Sequence, residues 1–292
     1  MNQPEHQPPH PPRIHTGRAG ALVITGSLLI GAVLVMGGLG WIGRGGALSP
    51  TGPSPTTAET PRDNGGRLPP ARPAWVSPLQ PSCSIQDLAQ RQHLQALLAA
   101  LRTAPKRVRV DPTNFGERFR RDAFGQAVDP TPRLVVLHET VYGLRSAIHT
   151  FRTPHPNDED QVSYHALIGE DGQVIQLLDP SKRAFGAGNS AFNGQWVVTN
   201  PKVGGSINNF ALHVSLETPL DGENNNPGHS GYSSAQYDSL AALLADWMGR
   251  YPIEPENITT HQAVDLGGER SDPRSFNWQA LQERLQNLGL LC

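Results

Sequence analysis

Residues Leu134–Thr140 read LVVLHET: four apolar residues, a histidine, then Glu139 and Thr140. A short unbroken apolar run of this kind fits a strand buried on both faces. In α/β sheets, sites gather at the ends of strands, and here a histidine stands at that end. A second run, Phe210–Glu217 (FALHVSLE), alternates instead. Leu212, Val214 and Leu216 fall on one face, and His213, Ser215 and Glu217 on the other. The first face suits a core, and the second is polar enough to line a cleft.

Working outward, Ser163–Ile168 and Gln173–Leu178 flank Glu170-Asp171-Gly172, a hairpin signal. Ser146–Phe151 reads as helix. Ser234 is expected to cap a helix through Tyr237, Leu240, Leu244, Trp247 and Met248, ending near Gly249 and Pro252. Trp278, Leu281, Leu285 and Leu288 mark a last helix. Near the start of the folded part, Ile85, Leu88, Leu94, Leu97, Leu98 and Leu101 recur at helical spacing behind Ser84 as a candidate cap.

His261–Trp278 reads HQAVDLGGERSDPRSFNW. His261 follows the short apolar run Ile258-Thr259-Thr260. Gly267 and Gly268 let the chain fold back, which would bring Asp272 to the same metal ion as His261. Arg270 would set a permanent positive charge beside it. Asp265 and Glu269 are rival carboxylates, and His213 is a rival histidine because its face also carries Glu217. A surface loop with ordinary polar residues is the plain alternative for this stretch taken alone.

Three ordered segments, LVVLHET, SYHALIGEDG (163–172) and HQAVDLGGERSDP (261–273), resemble the zinc-dependent N-acetylmuramoyl-L-alanine amidases of the type-2 family, relatives of the peptidoglycan-recognition proteins. The resemblance runs from about Pro130 to Leu288. It implies a mixed central β-sheet flanked by helices, within the α/β class. It implies Zn²⁺ held by His138, His261 and Asp272 with one position left for water. Glu217, or less directly Tyr164, would orient or deprotonate that water, and Arg270 would hydrogen-bond the oxyanion. The bond cut would join the lactyl group of N-acetylmuramic acid to L-alanine in peptidoglycan or muropeptides. Asn189, in the Gly-rich loop Phe185–Gly194, and His213 are the candidate substrate contacts.

Two departures stand out. The family commonly has two glutamates where this chain has Ser215 and Glu217. It often has His-Ala-Gly where this chain has Gly186-Ala187-Gly188. Both keep open a second reading, a non-catalytic, membrane-tethered peptidoglycan-recognition module. His149, His155 and His229 are expected to be solvated or packing residues.

The N-terminal part is organised differently. Met1–Arg18 is rich in Pro and His and is expected to be disordered. Ala19–Gly43 carries no charge and exceeds the ~20 residues that cross a bilayer, so a single-pass anchor is expected. A cleaved signal peptide is the rival. Residues 44–82 recur in Pro, Ser, Thr and Gly and read as a linker holding the domain, 83–292, off the membrane. The domain is expected outside the cytoplasm, in the periplasm or beyond, and secreted if the segment is cleaved. The chain has two cysteines, Cys83 and Cys292. In an oxidising compartment they are expected to join as a disulfide, two unrelated thiols being the alternative. A formal charge of −2 gives no electrostatic case for a nucleic-acid partner.

Overall fold

The computed structural model describes residues 67–292. The expected disordered segment, the anchor and the first part of the linker lie outside the described residues. Among those described, no helix is long and apolar enough to cross a membrane.

The described chain runs through α1 (Leu88–Thr103), β1 (Lys106–Arg107), β2 (Phe115–Glu117), β3 (Leu134–Glu139), α2 (Leu144–Arg152), β4 (Ala166–Ile168), β5 (Val174–Gln176) and β6 (Lys182–Ala184). It continues through β7 (Val197–Asn200), β8 (Gly204–Ser206), β9 (Ala211–Leu216), α3 (Ser234–Met248), β10 (Ile258–Thr260), α4 (His261–Val264) and α5 (Trp278–Leu288). Six strands form the main sheet in the order β1-β5-β4-β9-β3-β10. Only the β4–β5 hairpin pairs antiparallel within it; the other neighbours are parallel, so the sheet is mixed. Two antiparallel pairs, β2–β6 and β7–β8, stand outside it.

β3 lies between β9 and β10, and Leu134, Val135, Val136 and Leu137 are fully buried. Each such side chain contributes about 1.5–3 kcal/mol relative to an exposed one. Strand alternation sorts them. Val135 and Leu137 join Leu212, Val214 and Leu216 against residues of α1, α3 and α5, while Leu134 and Val136 pack with Phe192, Ile207, Phe210 and Val264 on the opposite face. His138 follows the Leu134 and Val136 side and so leaves the sheet away from the helical layer.

The helix caps differ from the sequence expectation by one to three residues. Asp87, not Ser84, caps α1, its carboxylate accepting from Gln90 N at 2.9 Å. Ser233, not Ser234, caps α3 in a capping box with Gln236. Leu88, placed on the buried stripe by its spacing, is exposed because the helix begins there and turns its first residue outward.

The folded unit begins before Cys83. Leu79 is buried in the helical core, Trp75 N donates to Asn193 Oδ1 at 2.8 Å, and the Trp75 ring lies 6.0 Å from that of Trp278. The end of the Pro-rich segment therefore packs as part of the domain rather than hanging free. A disulfide joins Cys83 to Cys292, and Ser82 N donates to Leu291 O at 2.7 Å beside it.

Candidate metal centre and cleft

β10 pairs in parallel with β3, Thr260 facing Leu137. The residue after each of these is a histidine, so the two imidazoles emerge side by side, with ring centroids 4.6 Å apart. Thr260 caps α4 by accepting from Ala263 N at 3.2 Å, which turns the chain immediately after the strand and fixes His261 at the bend. Asp272 returns to the same place by way of the Gly-Gly loop. Gly268 takes a left-handed conformation (φ 70°), and the Asp265 carboxylate gathers the loop by accepting from Gly267 N, Glu269 N and Arg270 N at 3.2, 2.7 and 3.1 Å. Asp265, a rival ligand by sequence, is thus the organiser of this loop. Gln262 N donates to Asp272 O at 3.0 Å and closes it.

Nδ1 of His138 and Nδ1 of His261 lie 3.1 and 3.0 Å from the Asp272 carboxylate. One ligand atom from each of the three residues lies within 4.8 Å of the other two. Tetrahedral zinc with ligands at about 2.0–2.2 Å places its ligand atoms about 3.3–3.6 Å apart, so this His₂Asp set fits the ion in both donor type and span. Charge state fits as well. Burial, and then the neighbouring His261, push the His138 pKa down to about 4, so the ring is a neutral donor near pH 7. Burial opposes ionisation of Asp272, but hydrogen bonds from His138 and His261 outweigh it and hold the carboxyl well below the usual range.

Tyr164 lies against His138, the rings 4.4 Å apart and 22° from parallel, with Phe151 edge-on behind it at 5.3 Å. Burial raises its phenol pKa far above neutrality, so the hydroxyl keeps its proton and is suited to donate rather than to act as a base. Tyr164, His261, Arg270, Asn189 and Arg183 all line one cleft of about 980 Å³. Arg270 and Asn189, the expected oxyanion donor and substrate contact, lie on the wall shared with His261.

Two expected site residues are elsewhere. Glu217 does not join the cleft wall. Its Oε1 accepts from Leu144 N, the first residue of α2, and its Oε2 from Glu170 N at 2.9 Å. The N-cap position is Gly143, which has no side chain to cap the helix, and Glu217 fills that role. His213 is fully buried and does not face the cleft; its Nδ1 lies 3.0 Å from His138 Nε2, behind the metal cluster. Strand alternation gave its side of the sheet correctly, but the loop at Gly186 covers that side. Ser215 sits opposite His138 in the β3–β9 register, its Oγ buried and unpartnered among the described residues.

Sequence reasoning missed a buried ion pair under the site. Glu139 follows His138 and points to the opposite face, where the Arg274 guanidinium and backbone N–H, Tyr232 OH and His229 Nε2 all meet its carboxylate. Arg274 also donates to the carbonyls of Gly222, Asn224 and Asn226 at 2.6–2.8 Å, tying the Asn/Gly-rich loop to the segment that carries Asp272. The charged residues next to His138 and two after Asp272 were the only signal for it.

The sequence profile of the type-2 N-acetylmuramoyl-L-alanine amidases matches residues 128–275, which contain all three cluster residues. The chain is 33% identical over 126 residues to the 1,6-anhydro-N-acetylmuramyl-L-alanine amidase AmpD of Enterobacter cloacae, covering 42% of this chain and 57% of that protein. It is 26% identical over 184 residues to the N-acetylmuramoyl-L-alanine amidase AmiD of Escherichia coli K12, covering 60% of each. The solution structure of Citrobacter freundii AmpD aligns with a TM-score of 0.40 at 25% identity, over 63% of this chain and 91% of that one. The match spans little more than half the length of the E. cloacae relative. With its profile match covering half of the sequence and enclosing the His138–His261–Asp272 cluster, the chain belongs to the type-2 N-acetylmuramoyl-L-alanine amidase family.

Proposed function

We propose that this chain hydrolyses the amide bond between N-acetylmuramic acid and L-alanine in peptidoglycan or its released fragments, with zinc held by His138, His261 and Asp272. The observation that carries the reading is the His₂Asp cluster opening onto a cleft whose wall also holds Arg270 and Tyr164. Bound zinc would supply a water of lowered pKa and polarise the scissile carbonyl. The chain's own groups do the rest. Burial keeps His138 a neutral donor, and hydrogen bonds from the two histidines keep Asp272 ionised despite its burial. Arg270 places a fixed positive charge for the oxygen that becomes anionic. Tyr164, protonated, offers a hydroxyl donor beside His138. Asn189 and Arg183 line the groove for the polar muropeptide.

One observation favours the alternative of binding without hydrolysis. Glu217 is committed to the N–H groups of Leu144 and Glu170, and Ser215 stands where relatives commonly have a glutamate, so neither of these two positions offers the cluster a free carboxylate to take a proton. Incubating the zinc-loaded domain with purified muropeptides and weighing the products by mass spectrometry separates the two. Free stem peptide supports the amidase; retained muropeptide with none released supports the recognition module.

The charge-free run Ala19–Gly43 is proposed to hold the domain at a membrane, on its non-cytoplasmic side, where a Cys83–Cys292 disulfide would persist. Fractionation of cells and protease accessibility of the domain test that placement.

A further inference from the structure

His213 is a polar side chain in the middle of a buried strand, and burying an imidazole without partners is costly. Three contacts hold it, while its Nε2 is buried without a hydrogen-bond partner among the described residues. Its Nδ1 is 3.0 Å from His138 Nε2. Its backbone N–H donates to His165 Nδ1 at 3.0 Å, and the two rings lie parallel, 6.0 Å apart. On the loop side it is pressed against Gly186, where an added Cβ would fall 2.4 Å from Nδ1 and 2.5 Å from Cγ of the ring. No side chain larger than hydrogen at position 186 is compatible with His213 where it lies. The two residues form a matched pair: a loop glycine that gives up its volume and a strand histidine that takes it.

The consequence reaches the cluster through one hydrogen bond. His138 faces Asp272 and His261 with Nδ1. A neutral imidazole that uses the Nδ1 lone pair as a ligand carries its proton on Nε2. In this buried ring the Nε2–H needs an acceptor, and His213 Nδ1 is the atom in reach. We infer that His213 is a positioning residue for the metal site: it accepts from His138 Nε2–H, thereby fixing the tautomer and ring orientation that turn Nδ1 to the metal, and Gly186 is required so that it can. The inference rests on the proposal that the cluster binds zinc, and the test separates the two.

Zinc affinity is measured by competition with a chromophoric chelator, alongside the melting temperature of the metal-free protein. His213→Leu fills the same space without an acceptor, so it should lower zinc affinity about 10–100-fold, the usual effect of losing a ligand's outer hydrogen-bond partner. Its metal-free melting temperature should stay at or above that of the unmutated protein. His213→Asn keeps an oxygen near the Nδ1 position and should restore affinity to within a few-fold. Gly186→Ala, which pushes on the ring, should lower affinity in the same sense. A His213→Leu protein that binds zinc as tightly as the unmutated one overturns the inference and leaves the zinc proposal standing. Absence of zinc binding by the unmutated protein removes both. Should His213→Leu fail to fold, nitrogen-15 NMR of the unmutated zinc-loaded protein decides. A proton on His138 Nε2 shared with His213 Nδ1 supports the inference, and an unprotonated His138 Nε2 overturns it.

Discussion

The carboxylate of Glu217 accepts from the backbone N–H of Leu144, so the residue that follows β9 caps the start of α2. Its second oxygen takes Glu170 N from the β4–β5 turn. Glu217 therefore joins three segments of the fold through its two carboxylate oxygens. Glu217→Gln keeps one acceptor and sets an amide N–H₂ against the other backbone donor. It should lower stability by about 0.5–2 kcal/mol, the range for a lost N-cap, while turnover changes by no more than a few-fold. Thermal denaturation beside a muropeptide assay checks both halves. A large loss of turnover in a protein of unchanged stability would return Glu217 to the reaction.

Substitutions at the cluster should behave differently. Asp272→Ala removes the one charged ligand and leaves His138 and His261 without the carboxylate they share. Bound zinc, expected at about one per chain in the unmutated domain, should fall to trace levels in elemental analysis, and hydrolysis should fall with it. Arg270→Ala should keep the zinc and lose about 10²–10³-fold in turnover, the usual cost of one oxyanion donor.

Much of this was legible from local pattern. The apolar run Leu134–Leu137 identified a doubly buried strand, and the alternation of Phe210–Glu217 gave the correct core face for Leu212, Val214 and Leu216. Alternation fixes a side of the sheet but not how deeply that side is covered. For that reason His213 read as a cleft residue, when the loop at Gly186 closes over it. Glu217 lies just past the last strand residue, where the period-two rule no longer says which way a side chain turns. The pairing of Glu139 with Arg274 joins residues 135 positions apart, and no local pattern encodes a contact of that separation.

That pairing should dominate the stability of the cleft's underside. Both side chains are buried, and Arg274 ties three carbonyls of the 222–226 loop to the Asp272 segment. Arg274→Ala would leave Glu139 as a buried carboxylate without its cationic partner, a change that typically costs 3–5 kcal/mol, here taken as about that size. The melting temperature should fall by many degrees. Limited proteolysis should cut within the Asn/Gly-rich loop faster than it does in the unmutated protein.

The buried histidines also set a direction for pH dependence. His165 is held neutral by burial, with the nearby Arg118 charge adding to the effect, and its pKa is pushed down to about 3; burial, then His261, take His138 to about 4. The ordinary histidine value is about 6.5. Between the folded and unfolded values the folded protein binds fewer protons than the unfolded chain, so stability rises with pH across that window. The metal-free protein should therefore be fully stable above about pH 6.5 and lose stability progressively as the pH falls from there towards 4. Asp272, whose carboxyl is depressed in the fold, acts in the same direction at still lower pH. Denaturant titrations of the chelator-treated protein at a series of pH values check the sign. Replacing His165, which lies away from Asp272 and His261, by Gln keeps a neutral side chain at every pH. That variant should show a shallower fall in stability between pH 6.5 and 4 than the unmutated protein, and an unchanged slope would place the acid sensitivity on other groups.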